Sequence, residues 1–442
     1  MSATVSSNNI SVLTRVKWGG FRLLERLSDL KGNSAAGHLV LNVPAQPLAS
    51  LWVFVSTIGE LNAIDPLLRQ IVASLPHLKL VLITDHPHYR DSYLARYPAA
   101  EICVTRGHGT DAATLATHYP PQFLVVAEIP CWPSDAPCRF SFAFLLAAKQ
   151  AGAATVLVNA WLYHYSTASR MDAIERSLFQ TDFVRTFDAI GAQTTETRDS
   201  LLAVGADPNR VQVVGNIKFD ALPPNDWTPA LARSPTMLGA LIASGRPVVV
   251  AGCITDYADQ HMVLDAFVSL RQTHPDALLV LAPRHPEVAN HMEALRGFLA
   301  QRSLVGVFKS TVRDAAMATD VACLVLDTMG ELRDFYAAAT VAHVGVDHNV
   351  LEPLGFGKPV TVGTDWNTTY PSYPVYRLLM DAHTLLEATT ADQLASTWLD
   401  LIDNAEHYRT NVQATANTLA KARGAVNRHM NLLAPLLPTP VE

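Results

Sequence analysis

The feature that most constrains the fold of this 442-residue chain is a repeated alternation of short apolar segments, rich in β-branched residues, with longer helix-like segments. In the first half, the strand-like segments lie at residues 51–55, 78–83, 123–127, 155–159 and 189–192. A helix-like segment follows each of them, beginning with residues 61–75. Alternation over this length predicts a parallel sheet with helices on both of its faces.

A cluster of prolines and turn-forming residues, from Pro223 to Pro229, separates this series from a second one. The second series has strand-like segments at residues 247–251, 278–282, 305–309, 322–326, 341–346 and 359–362. We therefore predict an α/β protein with two Rossmann-like, doubly wound domains facing each other across a cleft that binds ligands. The predicted domains span residues 33–222 and 223–390, after an amphipathic helix within residues 1–32. C-terminal helices in residues 391–442 are expected to pack back on the first domain.

Composition excludes several classes of protein. Hydrophobic residues make up 49% of the chain and charged residues 17%, which is enough apolar surface for folded cores and excludes disorder as the main state. A net charge of −7 argues against nucleic acid as the partner. The five cysteines form no C-x-x-C pair, and no apolar stretch approaches the length of a membrane span. We therefore expect a cytoplasmic protein.

An amphipathic helix is predicted near the start of the chain, from residue 12 to residue 30. Its apolar positions are Leu13, Val16, Phe21, Leu24, Leu27 and Leu30, and its polar side carries Arg15, Lys17, Arg22, Arg26 and Lys31. Two interpretations stay open. The helix packs on the first domain, or its aromatic and basic residues dock it at the interface of a membrane.

Two carboxylates of the first half follow predicted strands. Glu60, in Ser56-Thr57-Ile58-Gly59-Glu60, opens a helix and is a candidate general base, or else a first-turn glutamate that complements the helix dipole. Glu128 ends the strand at residues 123–127 and is a catalytic candidate or a structural partner of another charge. His86 and His88 flank Pro87 and are interpreted as solvated loop residues.

In the second half, polar residues again follow predicted strands. Gly252 begins a loop of small residues where backbone N–H groups can approach an anion. Arg284, in Ala282-Pro283-Arg284-His285-Pro286-Glu287, offers a guanidinium to phosphate or carboxylate, unless it forms a surface or interdomain ion pair. Gly330 opens a helix that could meet a phosphate, and Glu352 is suited to hold a ribose diol. The chain has no phosphate-binding P-loop and no convincing dinucleotide-binding glycine turn.

Seven segments, taken in order, resemble the bacterial Kdo transferases, which place 3-deoxy-D-manno-octulosonic acid (Kdo) on a lipid A precursor. They are STIGE, VVAEIPCWP, LVNA, VVGNIKFDA, LAPRHPE, LDTMGEL and DHNVLEPLGFGKPV. The resemblance implies a GT-B glycosyltransferase that inverts the sugar, needs no metal and no cofactor, and uses CMP-Kdo as donor. It also implies a role in lipopolysaccharide biosynthesis, with peripheral attachment to the cytoplasmic face of the inner membrane.

The resemblance also implies roles for individual residues. Glu60, preceded by Gly59, matches the catalytic base, and Glu128 is the second catalytic candidate. The expected donor-binding residues are Gly252, Arg284, His285, Met329, Gly330, Glu331, Asn349 and Glu352. Asn216 and Lys218 match a further family motif at the end of the first domain.

Two departures from the family pattern lie near these positions. Pro130 replaces a glutamate of the family's Glu-Thr-Glu-Leu-Trp-Pro stretch, and the usual Gly-Ser-Thr-His-Glu loop is here Gly252-Cys253-Ile254-Thr255-Asp256. They leave two alternatives open. One is a GT-B transferase with another nucleotide sugar or acceptor, and the other is an inactive relative that serves as a binding or scaffold protein.

Overall fold

The computed structural model describes residues 10–30, 39–105, 109–128, 132–134, 140–162, 165–222 and 227–438. The chain forms two compact units, the first made of residues Met1–Ala221 and Ala422–Glu442 and the second of residues Leu222–Lys421. The interpretations placed on Pro130 and on the breaker residues 223–226 concern positions outside the described residues.

The first unit is built on a seven-stranded sheet in which every strand pairing is parallel. Its strands are β1 (Ser50–Phe54), β2 (Lys79–Thr84), β3 (Glu101–Val104), β4 (Pro121–Ala127), β5 (Ala154–Ala160), β6 (Ala189–Ala192) and β7 (Val211–Val213). Their spatial order is β3-β2-β1-β4-β5-β6-β7. This is the Rossmann order with one further strand at the edge, and it confirms the predicted fold of the first domain.

Both faces of this sheet are buried because helices cover each of them. The helices of the first unit are α1 (Val12–Leu30), α2 (Ile58–Ser74), α3 (Arg90–Arg96), α4 (Gly109–His118), α5 (Phe142–Gln150), α6 (Arg170–Thr186), α7 (Thr195–Ala203) and α16 (Ala425–Leu433). Trp52 and Phe54 of β1 enter one hydrophobic cluster, while Leu51 and Val53 enter the other. Strand β1, which is apolar from Leu51 to Phe54, is therefore buried on both faces.

Helix α1 packs on the first unit through Trp18 and Phe21, and of these two only Phe21 is among the predicted apolar positions. Phe21 is buried against Phe179, and Trp18 meets Phe142 edge to face. The Thr14 hydroxyl donates a hydrogen bond to Asp182 on α6. The remaining apolar face lies outside this contact, with Val12, Leu13, Val16, Leu23, Leu24 and Leu27 between 48% and 78% exposed.

No helix within the described ranges is both long enough and apolar enough to cross a membrane.

The second unit repeats the architecture with another parallel seven-stranded sheet. Its strands are β8 (Val248–Ile254), β9 (Leu278–Pro283), β10 (Gly306–Phe308), β11 (Cys323–Val325), β12 (Val341–Val344), β13 (Val360–Val362) and β14 (Leu385–Glu387). Their order is β10-β11-β9-β8-β12-β13-β14. The surrounding helices are α8 (Pro235–Ser244), α9 (Tyr257–Thr273), α10 (Ala289–Gln301), α11 (Leu332–Tyr336), α12 (Leu351–Gly355), α13 (Tyr373–Asp381), α14 (Ala391–Asp403) and α15 (Ala405–Ala422).

The C-terminal helices divide between the two units, whereas the sequence predicts that the helices in residues 391–442 all pack back on the first domain. Helix α14 buries Leu394 and Trp398 in the core of the second unit. Helix α16 instead buries Ala425, Val426 and Leu433 against the first sheet. Each helix packs where it finds an apolar surface. Of residues 391–442, only the part from Ala422 onward therefore belongs to the first unit.

Candidate active site

The N-terminus of α2 holds Glu60 directly after β1. Thr57 is the N-cap residue, and its hydroxyl accepts a hydrogen bond from the Glu60 backbone N–H. Glu60 Oε2 in turn accepts hydrogen bonds from the backbone N–H groups of Ser56 (2.6 Å) and Thr57 (3.4 Å). This is a capping box, so Glu60 does have the helix-stabilising role considered in the sequence analysis. Gly59 lies in the same turn without a left-handed conformation.

The environment of Glu60 favours its protonated form. The side chain is only 2% exposed, and burial, followed by the charge of Glu128, raises its pKa to about 8. Asp85 raises the pKa further, while the two backbone hydrogen bonds lower it. A carboxyl group with a pKa in this range exchanges its proton near neutral pH, as a general base must.

His86 is not the solvated loop residue that the sequence suggested, because it belongs to a hydrogen-bonded group beside α2. Its Nδ1 lies 2.9 Å from Asp85 Oδ1 and 3.2 Å from the Ser56 hydroxyl. The Ser56 hydroxyl also donates to Asp85. Hydrogen bonding to Asp85 raises the pKa of His86, which favours an imidazolium near Glu60. His88 is exposed, as expected.

Glu128 and Lys218 meet in the first unit although they are distant in sequence. Glu128 follows β4 with a φ of 52°, is buried, and its Oε1 lies 2.5 Å from Lys218 Nζ. Gln193 Nε2 lies 3.4 Å from the same oxygen. Asn216 accepts a hydrogen bond from the Lys218 backbone N–H and donates one to Gln193. The structure thus joins three of the predicted residues and adds Gln193, which the sequence analysis did not identify.

In the second unit the chain packs tightly at the end of β8. A side chain at Gly252 would overlap the buried hydroxyl of Tyr336. Cys253 has a φ of 58°, and its carbonyl lies against Gly345, where a Cβ has no room. Burial raises the pKa of the Cys253 thiol to about 11, so the thiol stays protonated at neutral pH. Close packing, rather than an open glycine loop, characterises this segment.

Arg284 lies at the end of β9 and contacts His348. Its Nη1 is 2.6 Å from His348 Nδ1, and His348 Nε2 lies 3.2 Å from the Thr255 hydroxyl. Burial, with the Arg284 charge, lowers the pKa of His348 to about 4, so Arg284 is the cation of the pair. His285 does not join this contact, because it is exposed and pairs with Glu287.

Asn349 and Glu352 lie together at the start of α12. Asn349 Nδ2 donates a hydrogen bond to Glu352 Oε1 at 3.3 Å, and its Oδ1 accepts one from the Leu351 N–H. Burial raises the pKa of Glu352, while the charge of Arg333 and the bond from Asn349 lower it. The carboxylate is thus oriented and partly desolvated, an arrangement suited to accept hydrogen bonds from ligand hydroxyls.

The Met329–Glu331 segment precedes α11 and is fixed by contacts with Arg233 and Ser234. Gly330 has a φ of 82°, and Arg233 packs on it while donating a hydrogen bond to the Met329 carbonyl. Met329 is 73% exposed. Glu331 is buried, accepts a hydrogen bond from the Ser234 hydroxyl and lies 3.7 Å from Lys309 Nζ. Buried Glu331 therefore fixes the segment to the protein, while Met329 and Gly330 lie at the surface.

The part of the chain that the structure describes contains no group of three His, Cys, Asp or Glu side chains placed to hold a metal ion.

Comparison with solved structures identifies the class of fold. A glycosyltransferase from Rickettsia africae ESF-5 matches 89% of this chain and 100% of its own, with a TM-score of 0.57 and 10% identity. The UDP-GlcNAc 2-epimerase from Neisseria meningitidis, bound to UDP-GlcNAc, matches 88% of this chain and 100% of its own, with a TM-score of 0.58 and 15% identity. At these identities the likeness concerns the fold alone. It agrees with two Rossmann-like units, and the fold is that of the GT-B class.

Sequence comparison shows which proteins the chain is similar to. The family model described as 3-Deoxy-D-manno-octulosonic-acid transferase (kdotransferase) matches residues 22–221. A 3-deoxy-D-manno-octulosonic acid transferase from Haemophilus influenzae is 27% identical over 413 residues, covering 90% of this chain and 89% of the relative. These matches confirm the resemblance to the Kdo transferases described above.

Proposed function

We propose that this protein is an inverting glycosyltransferase that moves Kdo from CMP-Kdo to a hydroxyl group of a lipid A precursor, with Glu60 as the general base. The observation that carries the proposal is the environment of Glu60, a buried carboxyl group whose pKa is raised to about 8. A structural capping glutamate needs no such environment, since capping boxes form at solvent-exposed helix ends as well.

The reaction requires one proton transfer and one displacement. Glu60 takes the proton of the acceptor hydroxyl as its oxygen bonds to the anomeric carbon of Kdo. The bond from that carbon to the CMP phosphate oxygen breaks, and CMP leaves with the electron pair. Attack from the face opposite the leaving group inverts the anomeric carbon. The Lys218 ammonium, 2.5 Å from Glu128, limits the negative charge that surrounds Glu60.

We assign the donor to the second unit. Arg284 meets the charge that develops on the departing phosphate. Glu352, oriented by Asn349, accepts hydrogen bonds from the ribose hydroxyls. Since a guanidinium can stabilise the leaving phosphate, we propose that transfer needs no divalent ion. Transfer in the presence of EDTA should therefore equal transfer in its absence.

The direct test is incubation of the protein with CMP-Kdo and a lipid A precursor, read by mass spectrometry, for the natural chain and for Glu60→Gln. Glu60→Gln should lose roughly 100- to 10,000-fold in turnover, the contribution of a general base, while its affinity for CMP stays unchanged. Thr57→Ala is the matched control for the capping role, because it removes the cap hydroxyl and keeps the carboxylate. It should cost about 1 kcal/mol of stability and far less turnover than Glu60→Gln.

Other outcomes would point to the alternative functions. Transfer from UDP-GlcNAc but not from CMP-Kdo would identify a GT-B transferase with another donor. CMP binding without any transfer, unchanged by Glu60→Gln, would identify a binding or scaffold protein. Loss of activity in Thr57→Ala equal to that in Glu60→Gln would assign the effect to the helix terminus and refute the general-base role.

We also propose that α1 attaches the protein to the cytoplasmic surface of the inner membrane, where a glycolipid acceptor is found. The support is the exposed apolar stripe of Val12, Leu13, Val16, Leu23, Leu24 and Leu27. Arg15 and Arg26 lie on the helix beside this stripe and are exposed. Apolar residues bordered by cations match the boundary between acyl chains and anionic headgroups.

A further inference from the structure

The end of β5 contains an irregularity that takes one backbone N–H group, that of Asn159, out of the pairing with β6. The pairing of β5 with β6 shifts register between Leu157 and Ala160, and Asn159 has a φ of 53°. A residue that leaves the ladder in this way must find another acceptor for its buried N–H group. The Asn159 N–H donates to Nε2 of His429, at 3.0 Å.

His429 comes from α16 and is well suited to accept this bond. The side chain is fully buried, and its Nδ1 lies 2.8 Å from the Ala425 carbonyl. A carbonyl only accepts, so Nδ1 carries the hydrogen and Nε2 is the acceptor. Burial lowers the pKa of His429 to about 4, which keeps the ring neutral. The ring fits against β6 because Gly191 has no side chain, since a Cβ there would lie 2.7 Å from Nε2.

From Asn159 a chain of hydrogen bonds leads to the candidate site. The Asn159 side chain accepts a hydrogen bond from the Ile217 N–H at 2.9 Å and donates one to Asn216 at 3.3 Å. Its carbonyl accepts a hydrogen bond from Gln193 Nε2 at 2.9 Å. Asn216 donates to Gln193 Oε1 at 2.9 Å, which closes a ring of three buried residues.

This ring holds the Glu128–Lys218 ion pair in place. Gln193 Nε2 reaches Glu128, and Asn216 Oδ1 accepts the backbone N–H of Lys218 at 2.9 Å. Lys218 Nζ then meets Glu128. Each side of the ion pair is thus tied to the ring whose conformation depends on Asn159.

We propose that His429 is a positioning residue of the active site: by fixing Asn159 it holds the ring of Asn159, Gln193 and Asn216 that sets Lys218 against Glu128. Helix α16, whose His429 is 270 residues from Asn159 in sequence, is then part of the site as well as of the fold. The catalytic consequence rests on the proposed function, because it requires Glu60 to act as a base next to Glu128.

The consequence is a shift in pH dependence. When the ring loosens, Lys218 compensates Glu128 less well, the negative charge near Glu60 grows, and the acidic limb of the rate profile moves to higher pH. The titratable groups around Glu60 are Glu128, Asp85, His86 and Tyr93. Those around His429 are Arg428 and Asp220. Of these groups, only Glu128 should change its electrostatic effect on Glu60 when His429 is replaced.

The test compares His429→Leu, which fills the space without an acceptor, with His429→Gln, whose carbonyl can accept the Asn159 N–H. In the Kdo transfer assay, His429→Leu should lower kcat at least about tenfold, move the acidic limb to higher pH and leave the KM for CMP-Kdo unchanged. His429→Gln should recover most of kcat and the original limb. Asn427→Ala, an exposed position on the same helix, should behave as the natural protein.

Hydrogen–deuterium exchange provides a readout that needs no activity. Peptides spanning residues 155–162 and 214–219 should exchange faster in His429→Leu than in Asn427→Ala. If the natural protein does not transfer Kdo yet these peptides respond, the proposed function fails and the positioning role survives. If exchange is unchanged, or if His429→Gln and His429→Leu lose kcat equally with no movement of the limb, the positioning role is refuted.

Discussion

At the residue scale, the proposed donor site includes a position, Gly252, where a side chain has no room. Gly252 lies against the Tyr336 hydroxyl, and both residues are buried. Gly252→Ala should therefore displace Tyr336, lower the free energy of unfolding by about 1–3 kcal/mol and weaken CMP binding. Urea denaturation and calorimetric CMP titration measure the two effects.

A second substitution tests this explanation of the Gly252 effect. Tyr336→Phe removes the atom that the new Cβ would meet, so Gly252→Ala combined with Tyr336→Phe should be less destabilised than the sum of the single changes. Rescue should be partial, because the Tyr336 ring carbon Cζ would remain 2.9 Å from the Cβ. Simple additivity would show that the two residues do not conflict.

The raised pKa of Glu60 predicts how the reaction depends on pH. A base must be deprotonated to act, so kcat/KM should rise with pH and level off above about 8. Below that value the rate should fall about tenfold per pH unit, as the ionised fraction does. Initial rates of Kdo transfer between about pH 6 and pH 9.5 measure the limb, and a limb near the ordinary glutamate pKa, about 4.3, would contradict the assignment.

Lys218→Met provides a charge test of the same environment. Removing the ammonium next to Glu128 leaves that carboxylate less compensated, so the pKa of Glu60 should rise and the limb should move to higher pH. Lys79→Met, at the opposite end of β2 from the site, is the control and should leave the limb in place. If the acidic limb lies at the same pH in the two variants, Lys218 has no electrostatic effect on Glu60.

At the scale of elements, α1 combines a buried face with an exposed apolar one. Leu23→Asp together with Leu27→Asp should abolish cosedimentation with liposomes that contain anionic lipid, since both changes put charge where acyl chains would pack. Thermal stability should hardly change, because both leucines are exposed. Added salt should weaken binding of the natural chain through screening of Arg15 and Arg26.

A matched control separates membrane docking through α1 from nonspecific hydrophobic binding to liposomes. Ile242→Asp introduces the same kind of charge at an exposed apolar position of α8, in the second unit. It should cosediment like the natural chain. If the α1 double variant also cosediments fully, the stripe is not the membrane contact.

The central strands and the helix α1 could be predicted from the sequence because apolar and β-branched runs mark buried strands clearly. The strands β3, β7 and β14 were not predicted. All three lie at sheet edges and are three or four residues long, and polar residues such as Glu101, Gln212 and Glu387 interrupt them. Edge strands need fewer apolar residues, so their pattern is weak.

The candidate site divides in the same way. Glu60, Glu128 and Arg284 could be selected as candidates because each follows a strand, and the carboxyl ends of parallel strands lie at one edge of a sheet. His429 could not, because only the return of α16 to the first unit brings it to Asn159. The prediction for His86 was wrong because its partner, Asp85, is the preceding residue. A sequence cannot show whether two adjacent polar residues bond to each other or to water.

At the scale of the whole molecule, buried titratable groups oppose one another in their effect on stability. Burial lowers the pKa of His429 in the first unit and of His343 in the second to about 4, so these histidines make the protein less stable as pH falls below about 6.5. Burial raises the pKa of Glu60 to about 8 and of Glu175 to about 7, which has the opposite effect over the same range. The natural chain should therefore show a flatter profile of stability against pH than either set of groups alone would produce.

Comparing the natural chain with a His429 variant isolates the contribution of His429 to the pH dependence of stability. His429→Gln lowers the free energy of unfolding at pH 7.5, but it also removes a group that the unfolded chain protonates below about pH 6.5 and the folded chain does not. The difference in unfolding free energy between the natural chain and His429→Gln should therefore shrink on acidification. Between about pH 6.5 and pH 5 it should fall by roughly 2 kcal/mol, at 1.36 kcal/mol per pH unit, because the other groups cancel in the comparison. Urea denaturation at the two pH values measures this, with Asn427→Ala as a pH-independent control, and a constant difference for His429→Gln would mean that the imidazole is protonated in the folded protein.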